Sequence, residues 1–206
     1  PTFNNLDYLK LAIQSINENS VYDHEVILHI NDGSDGTLNF AKTKSLLFSH
    51  SENNIGLCSA INNASKIATT NYILYVHDDM YLCKNWDLFL EKEINDLNDD
   101  LFYFSGTNYS SNNMPQDMNP GDTPFNFDNI RFDKFCVTSS EVDLQGSHWA
   151  PHITSKRVWD LVGGFSEEFN PGDGSDPDFC MKLWKEKVRI FKSINKFKVF
   201  HFGSMT

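Results

Sequence analysis

The chain has 206 residues, with 28 aspartates and glutamates against 17 lysines and arginines, a formal charge of −11. Its apolar share of 40%, with 14% aromatics, is enough to bury a core, which excludes wholesale disorder, and the length fits one domain. The acidic balance excludes a general nucleic-acid binder, whose phosphate contacts need clustered lysine and arginine, and no apolar run approaches the ~20 residues of a membrane span.

In chain order, Leu6, Leu9, Ala12, Ile13 and Ile16 recur at helical spacing. Val26 to Ile30 is a β-branched run that stops at Asn31-Asp32-Gly33-Ser34-Asp35-Gly36, a tight loop after a strand. A second helix is expected over 57–68, then a strand over 72–76 closed by His77-Asp78-Asp79. Trp86, Phe89, Leu90, Ile94 and Leu97 mark another amphipathic helix, and Leu101 to Ser105 one more strand. Alternation of this kind implies parallel βαβ units in an α/β sheet. Residues 107–135 are rich in Asn, Pro, Asp and Phe without periodicity and read as a long functional loop. Order returns with a strand from Val137, a short helix over 155–162, and an acidic loop from Asp173 to Asp178. Asp176 and Pro177 are the expected N-cap and first residue of a helix to about Lys187, and β-rich runs over 188–194 and 196–202 close the chain. The four cysteines, Cys58, Cys83, Cys136 and Cys180, form no CxxC pair, so reduced thiols are expected and neither a disulfide framework nor a zinc cluster.

Three polar loops follow expected strands, where open α/β sheets bind ligands: 31–37, 77–79 and 173–178. Any one of them alone is adequately explained as turn chemistry, since Asp and Asn suit turns and helix caps. Calcium loops are a further reading of NDGSDGT and DGSDPD, but no glutamate stands at the twelfth position of an EF-hand and no nonapeptide array is present.

Taken together, the loops carry a resemblance. Pro1-Thr2-Phe3-Asn4 is similar to the P-x-[YF]-N opening of the family 2 glycosyltransferases, and Asn31 to Thr37 to their DDGSxDxT. Asn54-Ile55-Gly56 with Ala60, Asn62 and Ala64 resembles NxGxxxAxNxA, and His77-Asp78-Asp79 stands at the DxD position. Gly163 to Lys182 looks like GGFDExF…G-EDxDLxxR, and His201 with Ser204 and Thr206 like a late H-x-x-S-x-T. The resemblance implies a single GT-A domain, with residues 1–106 as nucleotide-binding half and 107–206 as acceptor-binding half. It also implies an apolar first strand ahead of P-x-[YF]-N, so the expectation here is either a sheet that lacks that strand or another segment in its place.

The implied activity is metal-dependent, inverting transfer of a sugar from a nucleotide-diphosphate donor to a hydroxyl of a glycan, lipid-linked or protein acceptor. Asp79 is the expected ligand of Mn²⁺ or Mg²⁺, joined by His77 at the first DxD place and by His201, because the leaving diphosphate needs its charge neutralised. The family's catalytic aspartate falls on Asp176, the expected general base, with Ser175 in place of the preceding glutamate. The helix N-terminus there stabilises its negative charge, and proximity must supply the basicity. Asp32 would accept from a pyrimidine imide N–H, favouring UDP or dTDP. Thr2, Phe3, Asn4, Asn54, Gly56 and Asn62 would line the nucleotide pocket, and Asp78 would touch the ribose. His148, Trp149 and Asp178 are expected at the sugar or acceptor, with 107–135 as a lid. A cytoplasmic protein, at most peripheral to a membrane, is expected. The rival from another class is a catalytically impaired sugar-nucleotide or glycan-binding module of the same fold. A nucleotidyltransferase is disfavoured because residues 31–37 carry no lysine or arginine for a triphosphate.

Overall fold

Leu9, Ala12 and Ile13 occupy one buried face of the first helix, α1 (Leu6–Asn19), as their spacing requires. Asn5 gives that helix no side-chain cap; Asp35 does, its Oδ2 accepting from the Leu6 N–H at 2.9 Å. The polar loop read as mere punctuation thus ties the first strand region to α1. Around this joint lies a parallel sheet in the order β1 (Thr2–Phe3), β2 (Ile27–Asn31) and β3 (Leu47–Ser51), with α2 (Thr37–Thr43) and α3 (Leu57–Ser65) connecting onward. The computed structural model describes residues 1–139, 142–146 and 149–203.

A second sheet holds β4 (Tyr72–Tyr75), β5 (Met80–Leu82), β6 (Phe102–Tyr109), β7 (Leu144–Gln145), β8 (His152–Ser155) and β9 (Ile190–His201). Its order is β4-β8-β6-β9-β5 with β7 on β9, and only β6 and β9 pair in parallel. The architecture is therefore mixed α/β, parallel in the first sheet and largely antiparallel in the second. Helices α4 (Trp86–Leu97), α5 (Asn129–Thr138), α6 (Lys156–Val162) and α7 (Ser175–Lys185) complete it.

Four expectations need correction. Residues 107–135 are not all loop: β6 runs to Tyr109, and α5 begins at Asn129, capped by Asp128, which accepts from Arg131 N–H at 3.0 Å. Val137 lies in that helix, not in a strand. The two carboxyl-terminal runs are one strand, β9, whose register against β6 shifts between Ser193 and Lys198; the polar Asn195-Lys196 step is that irregularity. Helix α7 begins at Ser175 with Gly174 as its N-cap at φ 80°, so Asp176 sits inside the first turn. The division after residue 106 falls within β6, so the two sequence halves share one sheet.

The main core is aromatic: Phe102, Tyr103 and Phe104 of β6 and Phe197 and Phe200 of β9 are buried with Trp159 and Phe179 from α6 and α7. Between β2 and β4 no ladder forms. A groove of about 430 Å³ opens there, lined by Ile13, Ile27, Leu28, Leu74 and Leu90, with a cavity of about 130 Å³ on the α3 side. In the β1–β2 register Thr2 faces Ile30 and Pro1 falls opposite His29, so residues ahead of Pro1 would run beside Leu28 and Ile27, into this groove. Among the described residues no helix is long and apolar enough to cross a membrane.

Candidate active site

The first polar loop is built around Asn4 and Asp32, both held at positive φ (49° and 59°). Asn4 Nδ2 donates to Asp32 Oδ2 at 2.8 Å, and Asn4 Oδ1 accepts from Gly33 N–H at 3.1 Å. The Ser34 hydroxyl also donates to Asp32 Oδ2, at 3.0 Å. These donors, Asn4 foremost and then Ser34, hold the Asp32 carboxyl below the usual range, so it remains an acceptor. Thr2 is buried beneath the loop and Phe3 is exposed at its rim.

The second loop follows β4. Met80 and His201 are register partners across β5 and β9, and the Phe202 N–H donates to the Asp79 carbonyl at 3.1 Å; this pairing sets His201 beside Asp79. His201 Nε2 lies 3.2 Å from Asp79 Oδ1, and His77 Nδ1 lies 3.9 Å from the same oxygen. One nitrogen from each histidine and a carboxylate oxygen fall within 4.8 Å of one another. Asp79 is 4% exposed, and its Oδ2 has no partner among the described residues. Burial pulls the His77 imidazole down to about 4, so it presents a lone pair at neutral pH. Burial pushes the Asp79 carboxyl up, but the hydrogen bond and charge of His201, then the charge of His77, bring it below its usual value. A buried carboxylate with Oδ1 beside two imidazoles and Oδ2 left unpartnered is a donor set that fits a divalent ion such as Mn²⁺. Asp78 lies against Thr2 and Asn5, and burial raises its pKa.

The third loop leads into α7. Asp176 is partly buried, and its Oδ1 has no hydrogen-bond partner among the described residues. Ser175, where the resemblance expects a glutamate, is 1% exposed and points into the protein. Asp178 is engaged by the Ser166 hydroxyl at 2.6 Å. The second and third loops meet at Tyr75, the last residue of β4. Burial, and after it the negative charges of Asp176, Asp78 and Asp79, push the Tyr75 hydroxyl well above its usual pKa.

The remaining expected nucleotide contacts, Asn54, Gly56 and Asn62, lie at the start of α3 and along it. Asn62 bonds the backbone of Phe165 and Glu167 through its amide, and Gly56 has no room for a side chain because Asn170 fills that place. A Cβ on Gly56 would meet Asn170 Oδ1 at 2.4 Å, while that oxygen accepts from the Cys58 N–H at 3.0 Å and caps α3. Asn54 only closes its own turn, its Oδ1 accepting from Gly56 N–H at 2.9 Å. Trp149 is 58% exposed ahead of β8; His148, Ser204 and Thr206 lie outside the described residues. The sequence reading passed over Tyr75, whose only signal was its place two residues before His77, and Asn170, a capping residue drawn from a distant loop.

The family model described as Glycosyl transferase family 2 matches residues 1–148. No curated protein sequence matches the chain. Among solved structures, S. aureus TarS 1–349 in complex with UDP superposes with a TM-score of 0.69 at 20% identity, covering 97% of this chain and 58% of that one. The structure of TarS 1–349 described without UDP gives 0.68 at 20% identity over 98% and 58%. GalNAc-T7 with UDP, GalNAc and Mn²⁺ gives 0.66 at 11% identity, over 92% of this chain and 40% of that one. The chain thus spans little more than half the length of TarS 1–349, with which it shares the GT-A fold. The family match covers well over half of the residues and includes the Asn4–Asp32 loop and the His77–Asp79 turn: the chain belongs to glycosyl transferase family 2.

Proposed function

We propose that this domain is an inverting glycosyltransferase that moves a sugar from a UDP- or dTDP-sugar to a hydroxyl acceptor in glycan or polysaccharide biosynthesis. The observation that carries the reading is the meeting of three carboxylates, Asp176, Asp78 and Asp79, around Tyr75, with two imidazoles beside Asp79. Asp79, His77 and His201 would hold Mn²⁺ or Mg²⁺, which neutralises the charge of a leaving diphosphate. Asp32 accepts from the imide N–H of a uracil or thymine, and Thr2, Phe3 and Asn4 line that side of the pocket, with Asp78 toward the ribose.

Asp176 removes the proton from the acceptor hydroxyl as its oxygen attacks the anomeric carbon. The bond from that carbon to the diphosphate oxygen breaks, and the nucleoside diphosphate leaves. One base and no carboxylate nucleophile give a single displacement, hence inversion. Trp149, His148 and Asp178 are assigned by this reading to the sugar or acceptor, and residues 107–135 to its cover. Mn²⁺-bearing and UDP-bound relatives of the same fold support the donor class. The setting proposed is the cytoplasm, free or peripheral to a membrane.

Calorimetric titration of UDP, dTDP and GDP, each with and without Mn²⁺, tests the reading. Metal-dependent binding of UDP or dTDP is expected, and a folded protein that binds none of the three would overturn it. The buried Ser175 in place of an acidic residue favours a second reading, a binding module without turnover. Asp176→Asn separates the two: an enzyme loses turnover and keeps donor affinity, whereas a module has no turnover to lose.

A further inference from the structure

His152 is fully buried in the middle of the second sheet, yet neither ring nitrogen has a hydrogen-bond partner among the described residues. As the first residue of β8 it is flanked by Tyr75 of β4 and Ser105 of β6, so its backbone is fixed from both sides. Tyr75, Tyr103, Trp159, Phe165 and Phe179 wall its ring, with centroids between 4.8 and 6.5 Å away. Phenylalanine would satisfy such a cage, whereas a buried imidazole without a partner carries an uncompensated desolvation penalty. The Asp176 carboxylate approaches from α7: its Oδ1 lies 3.7 Å from His152 Nε2 and is likewise buried and unpartnered. Two orphaned groups of complementary chemistry face each other, separated by about 0.7 Å more than a hydrogen bond, a gap of the kind that tightens when substrate binds.

We propose that His152 is a positioning residue for Asp176. Its Nε2–H donates to Asp176 Oδ1 in the substrate-bound enzyme, which fixes the carboxylate and leaves Oδ2 for the acceptor hydroxyl. The strand supplies rigidity that a residue in the first turn of a helix lacks. This role rests on Asp176 being the general base, as proposed above.

Two readouts test it. Long-range ¹H–¹⁵N correlation spectra of the labelled protein report the tautomer of His152 without any substrate. The Nε2–H form is expected, with a proton resonance that moves in Asp176→Asn and stays in Asp178→Asn. An Nδ1–H tautomer, or an Nε2–H proton indifferent to Asp176→Asn, overturns the inference. The second readout is UDP release from UDP-glucose, UDP-galactose and their N-acetylated forms, with water as acceptor. His152→Phe, which preserves the aromatic packing, should lower kcat by about 10- to 100-fold with donor KM unchanged, and His152→Gln should restore part of it. Full activity in His152→Phe beside an inactive Asp176→Asn sinks the positioning role alone. An Asp176→Asn protein as active as the parent sinks the base assignment itself. Where no donor is turned over, the tautomer experiment decides.

Discussion

Asn62 grips Phe165 with both halves of its amide: Nδ2 donates to the Phe165 carbonyl and Oδ1 accepts from the Phe165 N–H, each at 2.9 Å. The strap joins α3 to the turn that leads into α7, and Gly164 makes room for it, since a Cβ there would meet Asn62 Oδ1 at 2.3 Å. Asn62→Ala leaves two buried backbone groups unpaired, which should cost about 2–4 kcal/mol of stability. Urea denaturation measures the loss. A variant within about 0.5 kcal/mol of the parent would show that water replaces the amide at no penalty.

The cation cluster makes a separate prediction. Asp79→Asn keeps the shape of the side chain but removes the charge that faces His77 and His201. Mn²⁺ affinity, read from the free-ion electron paramagnetic resonance signal, should fall by about 100-fold or more. Asp178, engaged by Ser166 in another loop, supplies the control, and Asp178→Asn should bind Mn²⁺ like the parent. Equal Mn²⁺ binding by Asp79→Asn and the parent would remove Asp79 from the ligand set.

His29 on β2 gives the fold a pH dependence of its own. It is 1% exposed, with its ring against the hydroxyls of Ser49 and Ser51, and burial, then the nearby amino terminus, lowers its pKa from 6.5 to about 4. Above the unfolded value neither state binds the proton, and the contribution is fully present. As pH falls from 6.5 toward 4, the unfolded chain takes up a proton that the folded chain refuses, and stability is lost. Between about pH 7.5 and pH 5 this amounts to about 2 kcal/mol. His29→Gln, which supplies an uncharged side-chain amide to the same hydroxyls, should flatten that part of the stability profile. Parallel profiles for parent and variant would show that His29 titrates alike in both states.

Much of the fold was legible because its signals are local. Leu9, Ala12 and Ile13 mark α1, and the run from Trp86 to Leu97 gave α4 with both ends correct. What escaped is decided by partners distant in sequence. The four-residue run of β8 is held between β4 and β6, and α2, at seven residues, is too short to show a period. In the site, Asp79 and Asp176 lie near Tyr75, in the turn after β4 and the first turn of α7; His201 ends β9 beside Asp79, and Asp32 stands in the loop beside β1. Asn62 and Gly56 matched motif positions equally well, and they also meet Phe165 and Asn170, contacts about a hundred residues away that no local pattern encodes. His152 was unreadable for the same reason: only the sheet order brings it to Asp176.

The groove between β2 and β4 yields the last prediction. Both facing strand edges, at Ile27 to His29 and at Tyr72 to Tyr75, are paired on their far sides only, to β3 and β8. Leu9, Ile13 and Ile16 of α1 and Trp86, Leu90 and Ile94 of α4 line one face of the groove, and Ile61 and Ala64 of α3 the other. A slot closed on two faces and open along two ladder edges has the shape of a buried parallel strand. Five residues of alternating valine and isoleucine joined ahead of Pro1 would continue β1 into it. They would also replace the Pro1 amino group, whose pKa burial lowers, by an uncharged peptide nitrogen. Each buried side chain contributes about 1.5–3 kcal/mol against about 1–2 kcal/mol of backbone ordering, so a net gain of about 3 kcal/mol is expected. For a domain of this size that raises Tm by about 6–12 °C. A glycine-serine extension of equal length, which cannot fill the groove, should leave Tm unchanged. Equal Tm values for the two extensions would mean that the groove between the sheets does not accept a strand.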